Sequence, residues 1–197
     1  MTIRTVTFLA GLLACGACLA QPAPVAPQRS GLPWVHSGNN APVRNADSMG
    51  RTDRKFMGAV AQSGLAEVAL GQLAMQRARN PRVREYAGQL VADHQATNAR
   101  LQKLAAHKRL TLPTQPARGQ QRDLEAMRKL SGNEFDQRFL DHMVRDHQKA
   151  IDLLNQELKG RHQDADLKNF AQDTVIVLER HAGAAQQLRK ASGHLPG

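Results

Sequence analysis

Apolar residues recur at three- and four-residue spacing from about residue 52 to residue 192, which is the period of one buried face of an α-helix. Helix-breaking residues interrupt this pattern at Asn80-Pro81, Leu112-Pro113, Pro116, Ser131-Gly132 and Gly160. The pattern therefore predicts four long helices and one short one, over residues 52–78, 81–108, 119–130, 133–159 and 165–191.

The lengths of the connections predict how these helices are arranged. The first link and the last link are only about three and five residues long, so each joins an antiparallel helical hairpin. The middle connection, residues 109–132, contains the short helix and is long enough to cross the roughly 40 Å length of a long helix. We therefore predict an all-α, ferritin-like four-helix bundle over residues 51–192, with two hairpins joined by a long crossover.

Each long helix carries one ionisable residue near the middle of its apolar stripe: Glu67, His94, His147 and His181. Helices of equal length in such a bundle bring their middles to one level, so we expect the four side chains to converge. Burying a lone charge or an unpaired imidazole costs several kcal/mol. The four groups therefore need a mutual hydrogen-bond network, trapped water or a metal ion.

Imidazole and carboxylate ligands without thiolates suit zinc, copper, iron or manganese, and ligand type does not separate these metals. Asp93, Asp146 and Glu179 are candidates to orient the histidine rings or to complete a second shell, although they could equally be solvated charges. A metal-free polar core is the alternative. The Glu-x-x-His motif of di-iron bundles does not occur in the chain, which argues against ferroxidase, oxygenase or iron-storage activity.

The N-terminus has the features of an export signal. Arg4 precedes a short apolar stretch from Val6 to Ala20, with small residues before Gln21. At about 15 residues this stretch is shorter than the roughly 20 that span a bilayer. We predict that residues 1–20 are cleaved and that the protein is periplasmic; alternatively, a lipobox ending at Cys15 would give an outer-membrane lipoprotein.

Residues 21–50 contain more than half of the nine prolines and no apolar periodicity, which predicts a disordered tether before the bundle. Residues 193–197 form a short tail. Cys15 and Cys18 are the two cysteines of the chain, and both lie in the predicted signal. The mature protein would therefore have neither a disulfide nor a cysteine-ligated metal.

The formal net charge of +10 favours anionic partners, such as lipid headgroups at a membrane surface or envelope polysaccharide. Nucleic acid is excluded as a partner because the protein is predicted to be exported and aromatic residues make up only 4% of it. No phosphate-binding loop, serine elbow or zinc-protease motif is present. The alternative function is thus a metal-free helical module that associates with anionic components of the cell envelope.

Several motifs occur in order along the chain: the segment from Phe56 to Gly71 (FMGAVAQSGLAEVALG), Asn80-Pro81-x-Val83, Leu90-Val91-x-Asp93-His94, Leu112-Pro113, Leu130-Ser131-Gly132-x-x-Phe135-Asp136 and Met143-Val144-x-Asp146-His147. In these motifs the chain resembles the bacterial domain-of-unknown-function family 4142, ferritin-like exported proteins often labelled predicted outer membrane protein. The resemblance covers about residues 53–190. It implies a ferritin-like bundle, places Glu67, Asp93, His94, Asp146 and His147 on the family's pattern, and implies no established activity.

Overall fold

The computed structural model describes residues 49–160 and 164–192. They form five α-helices: α1 (Arg51–Arg77), α2 (Pro81–His107), α3 (Arg118–Arg128), α4 (Gly132–Lys159) and α5 (Ala165–Ser192). These bounds lie within two residues of those predicted from the apolar pattern. The all-α fold class is confirmed. The predicted signal, nearly all of the predicted tether and the tail lie outside the described residues, so those assignments stay predictions.

The turn between α1 and α2 is closed by local capping. Asn80 adopts an extended conformation at the N-cap, and its side-chain oxygen accepts a hydrogen bond from the backbone N–H of Arg82 at 2.9 Å. Pro81 occupies the first turn of α2, where its missing N–H is not needed. The buried carboxylate of Asp136 on α4 accepts hydrogen bonds from the backbone N–H groups of Arg79 and Asn80, at 3.0 and 2.8 Å.

These contacts also establish the direction of α4. Gly132 at the start of α4 pairs with Ala78 in the turn between α1 and α2, so α4 begins at the end of the bundle where α2 begins. The connection from α2 to α4 must therefore run the length of the bundle, as predicted. At the other end, Lys108 after α2 forms a salt bridge with Asp164 before α5. Helices α1 and α5 each pack against α2 and α4, and neighbouring long helices are antiparallel.

The core consists of two apolar clusters along the bundle. The first lies near the turn between α1 and α2 and includes Leu70, Ala74, Val83, Leu90, Phe135, Phe139, Met143 and Leu188. The second lies toward the opposite end and includes Phe56, Met57, Leu101, Ile151, Leu154, Leu167, Phe170 and Leu178. Buried polar side chains occupy the level between them.

Helix α3 lies outside the four-helix core and contacts α1 and α4. Met127 is its buried residue and Leu124 packs half-buried against the first cluster, whereas most of its other side chains are polar or charged. Its first turn borders a cavity that leads toward the middle of the bundle. In the described part of the chain, none of the helices has the length and hydropathy needed to cross a membrane.

Candidate metal centre

The four predicted site residues all lie in the polar layer between the two apolar clusters. On α2, His94 lies between Leu90 of the first cluster and Leu101 of the second; on α4, His147 lies between Met143 and Ile151 in the same way. Glu67, His94, His147 and His181 are all buried. The apolar stripe of each helix thus positions one ionisable side chain at the same depth.

Three of the four form one compact group. His94, His147 and His181 each place a ring nitrogen within 4.8 Å of the ring nitrogens of the other two. We call these three residues the histidine trio. Their rings lie at centroid distances of 5.4 to 5.6 Å, in tilted or edge-to-face orientations rather than stacked. The three helices α2, α4 and α5 supply one ligand candidate each.

Hydrogen bonds determine which nitrogens of the trio carry protons. Nδ1 of His147 lies 2.9 Å from the backbone oxygen of Met143, and since a carbonyl can only accept, Nδ1–H is the donor. Nε2 of His181 lies 2.9 Å from a carboxylate oxygen of Asp93. That carboxyl is partly desolvated, but hydrogen bonds from Gln89 and His181 lower its pKa, so it is ionised and Nε2–H of His181 donates to it.

The remaining nitrogens, Nε2 of His147 and Nδ1 of His181, face each other at 3.3 Å. Burial lowers the pKa of His147 to about 4 and also lowers the pKa of His181, which favours the neutral form of each ring, with one protonated nitrogen. With these protons already assigned, two lone pairs face one another. Two nitrogens bonded at 2.0 to 2.1 Å to one tetrahedral ion are separated by about 3.3 to 3.4 Å, which is the spacing seen here.

His94 completes the trio as a neutral ring. Burial, followed by the nearby histidines, lowers the pKa of His94 to about 3. Its Nε2 is buried and has no hydrogen-bond partner among the described residues. An imidazole in this state costs free energy, because it has lost its water and gained no replacement. Neutral imidazoles are also the form that binds metal ions.

Glu67 does not belong to this group, which corrects the expected quartet. Its carboxylate instead lies with His142 and Asp146 of α4, whose candidate ligand atoms all lie within 4.8 Å of one another. Burial raises the pKa of Glu67 to about 8, and its Oε2 is buried without a hydrogen-bond partner among the described residues. Helix α1 packs against α4, and the side chains that Glu67 meets there, His142 and Asp146, project about 100 to 140° around that helix from His147.

His142 is the residue that the sequence analysis missed. It precedes His147 by five positions, so on the helix it points about 140° away from His147 and lies outside the apolar stripe that contains His147. Its Nε2 lies 3.0 Å from Oδ2 of Asp146, one turn later on α4. A histidine and an aspartate four residues apart on a helix are a recognisable pair, and this spacing was the available signal.

The three predicted supporting residues have different surroundings. Asp93 contacts a ring of the trio through its hydrogen bond with His181, and it also pairs with Arg180 at 2.8 Å. Asp146 contacts His142 rather than its neighbour His147. Glu179 is exposed, because a residue two positions from His181 points roughly 160° away around the helix. Its assignment to the site is therefore wrong.

A cavity of about 410 Å³ borders this layer. Its lining includes Glu67, His94, Asp146 and His147, together with the first turn of α3 and apolar side chains of the second cluster. It therefore touches members of both ionisable groups. The cavity provides a route along which an ion or a small ligand could reach the buried layer.

The family model of the domain of unknown function DUF4142 matches residues 38–188, so the match begins inside the segment predicted as a tether. The chain is also similar to the crystal structure of a DUF305 fragment from Deinococcus radiodurans, with a TM-score of 0.62 and 15% sequence identity. That similarity covers 74% of this chain and 98% of the other, and it shows a shared helical fold. Curated protein sequences give no match.

Proposed function

The chain belongs to the DUF4142 family, a domain of unknown function, and we propose that it binds one transition-metal ion through His94, His147 and His181. The observation that carries the proposal is the 3.3 Å distance between Nε2 of His147 and Nδ1 of His181, the two nitrogens to which the other hydrogen bonds of these rings assign no proton. Without an ion, two lone pairs at this distance repel each other. With a metal ion between them, the two nitrogens would be at the distance expected for two ligands of one tetrahedral ion.

The surroundings of the trio support this proposal. Asp93 holds His181 in the tautomer that exposes Nδ1, and the backbone oxygen of Met143 holds His147 in the tautomer that exposes Nε2. Such outer partners normally accompany metal-binding histidines, because they fix the ring orientation and increase the basicity of the ligand. Nearly complete burial keeps the rings neutral over most of the physiological pH range.

Three imidazoles favour zinc or copper over manganese, since manganese prefers carboxylate, carbonyl and water oxygens. Three protein ligands leave the fourth position of a tetrahedral ion available to water or to a small ligand. His94 and His147 line the cavity, so a ligand in that position has a route to solvent. The proposed function is therefore metal binding with an accessible coordination position, and no reaction is assigned to it.

We also propose that the protein works after export, in the periplasm, either as a cleaved chain or as a lipoprotein held through Cys15. The sequence pattern of residues 1–20 supports this location. The net charge of +10 supports association with anionic envelope components. A protein that binds no metal but does bind anionic vesicles would have the alternative function of an envelope interaction module.

Calorimetric titration of the metal-stripped full-length protein with zinc and with copper tests the proposal. We expect high-affinity binding that is lost in His147→Ala, together with a metal-dependent rise in the melting temperature of the unmutated protein but not of the variant. His107→Ala is the matched control, because His107 is exposed near the end of α2. Equal metal binding by His147→Ala and the unmutated protein would overturn the proposal.

A further inference from the structure

Beside the histidine trio lies a second group of ligand atoms, supplied by α1 and α4. Glu67, His142 and Asp146 place a carboxylate oxygen, a ring nitrogen and a second carboxylate oxygen within 4.8 Å of one another. His142 and Asp146 are one helical turn apart and so project from the same face of α4 toward α1. We propose that these three residues form a second, separate site for a divalent cation.

The buried carboxylate of Glu67 is the independent observation in favour of a cation. Glu67 is only 3% exposed, and its Oε2 has no hydrogen-bond partner in the part of the chain that the structure describes. A buried carboxyl oxygen without a hydrogen-bond partner is costly even when the group keeps a proton, and a cation that displaces this proton would supply the missing partner. Glu67 also lines the cavity that borders the polar layer, so a cation has a route to this residue.

The geometry around His142 and Asp146 is compatible with metal binding. Oδ2 of Asp146 lies 3.0 Å from Nε2 of His142, and its other oxygen lies 3.8 Å from Nζ of Lys149, which is exposed. The side chain of Asp146 is 24% exposed, whereas His142 is buried. A cation entering from the cavity would bind Nε2 of His142 and Oδ2 of Asp146 in place of their hydrogen bond, and the proton on Nε2 would be released to solvent or carried by Nδ1 instead. Solvent on the side of Asp146 leaves room for water as a further ligand.

The two groups differ in the ions they favour. Two carboxylates and one imidazole are mainly oxygen donors, which suit manganese and iron(II) as well as zinc, whereas the trio offers nitrogen alone. Manganese(II) is therefore the discriminating probe, because it should bind at Glu67, His142 and Asp146 more readily than at the trio. Zinc has suitable ligands at both sites and reports the total stoichiometry.

Zinc titration of the metal-stripped full-length protein tests the second site directly. We expect two equivalents for the unmutated protein and for the exposed control His107→Ala, and one equivalent each for His142→Ala and His181→Ala. Glu67→Gln, which preserves the size and shape of the side chain, should also bind one equivalent of zinc. It tests the same site if His142→Ala fails to fold. Manganese(II) titrated into zinc-free His181→Ala and followed by electron paramagnetic resonance should still bind, and it should not bind to His142→Ala.

The outcomes separate this inference from the proposed function. One equivalent that is retained in His142→Ala and Glu67→Gln but lost in His181→Ala would overturn the second site and support the trio. One equivalent that is lost in His142→Ala but retained in His181→Ala would support the second site and overturn the trio. If Glu67→Gln instead loses the equivalent that His181→Ala loses, Glu67 is a ligand of the trio's ion and the second site is wrong.

Discussion

Replacing Glu67 with glutamine should change how the stability of the metal-free protein depends on pH. In the folded protein the pKa of Glu67 is raised to about 8 by burial, against a reference value of 4.5. Between pH 5 and pH 7 the folded state therefore keeps a proton on Glu67 that the unfolded state has released. A state that binds more protons is favoured at low pH, so this residue's contribution to stability is present below about pH 4.5 and is lost as the pH rises toward 8.

The magnitude follows from the size of the shift. One proton of difference corresponds to about 1.4 kcal/mol for each pH unit, so the loss between pH 5 and pH 7 is about 2.5 kcal/mol. Burial lowers the pKa values of His94 and His147, which produces the opposite slope because their unfolded states take up protons on acidification. That opposite slope is common to both proteins and cancels when Glu67→Gln is compared with the unmutated chain.

Urea unfolding in the presence of a metal chelator, at pH 5, 6 and 7, measures this difference. The free energy of unfolding of Glu67→Gln, relative to the unmutated protein, should increase by about 2.5 kcal/mol from pH 5 to pH 7. Glu85→Gln is the matched control for the change from carboxyl to amide, since Glu85 is exposed on α2. Parallel pH profiles for Glu67→Gln and the unmutated protein would refute the burial of a protonated Glu67.

Three further predictions concern packing, ring orientation and export. Gly71→Ala should destabilise the protein by about 1 to 3 kcal/mol in urea unfolding, because a Cβ there would lie 2.6 Å from a side-chain carbon of α2. Gly88→Ala is the control: a Cβ there would have nothing within 4 Å, so the protein should gain about 0.5 to 1 kcal/mol of stability. Equal effects of the two substitutions would contradict this packing. Asp93→Asn should weaken zinc binding about 10- to 100-fold in competition titrations, because His181 loses its carboxylate partner. An unchanged zinc affinity would mean that Asp93 does not orient the ring of His181. The intact mass of the exported protein should correspond to a chain beginning at Gln21, and a lipid-modified chain beginning at Cys15 would instead support the lipoprotein alternative.

Much of the fold follows from the sequence because the information is local. Helix bounds were predictable within two residues, since Pro81, Gly132 and Gly160 interrupt a continuous helical period. The two antiparallel hairpins and the crossover followed from the lengths of the connections alone. The depth of His94, His147 and His181 was predictable as well, because each interrupts an apolar stripe near the middle of a helix.

The grouping of the ionisable residues could not be obtained in this way. Period and position along a helix give the face and the level of a side chain, but they do not say which helices are neighbours and which lie diagonally opposite. Helix α1 packs against α2 and α4, the helices of His94 and His147, yet Glu67 meets the face of α4 that carries His142 and Asp146 rather than the trio. The proton on His147 is placed locally, by the carbonyl of Met143 on the same helix, whereas the proton on His181 depends on a carboxylate of α2 that only the packed helices bring to the ring. Local pattern was thus enough to identify the side chains buried at one level. Which of them meet depends on the order of the helices and on how each helix is rotated in the packed bundle.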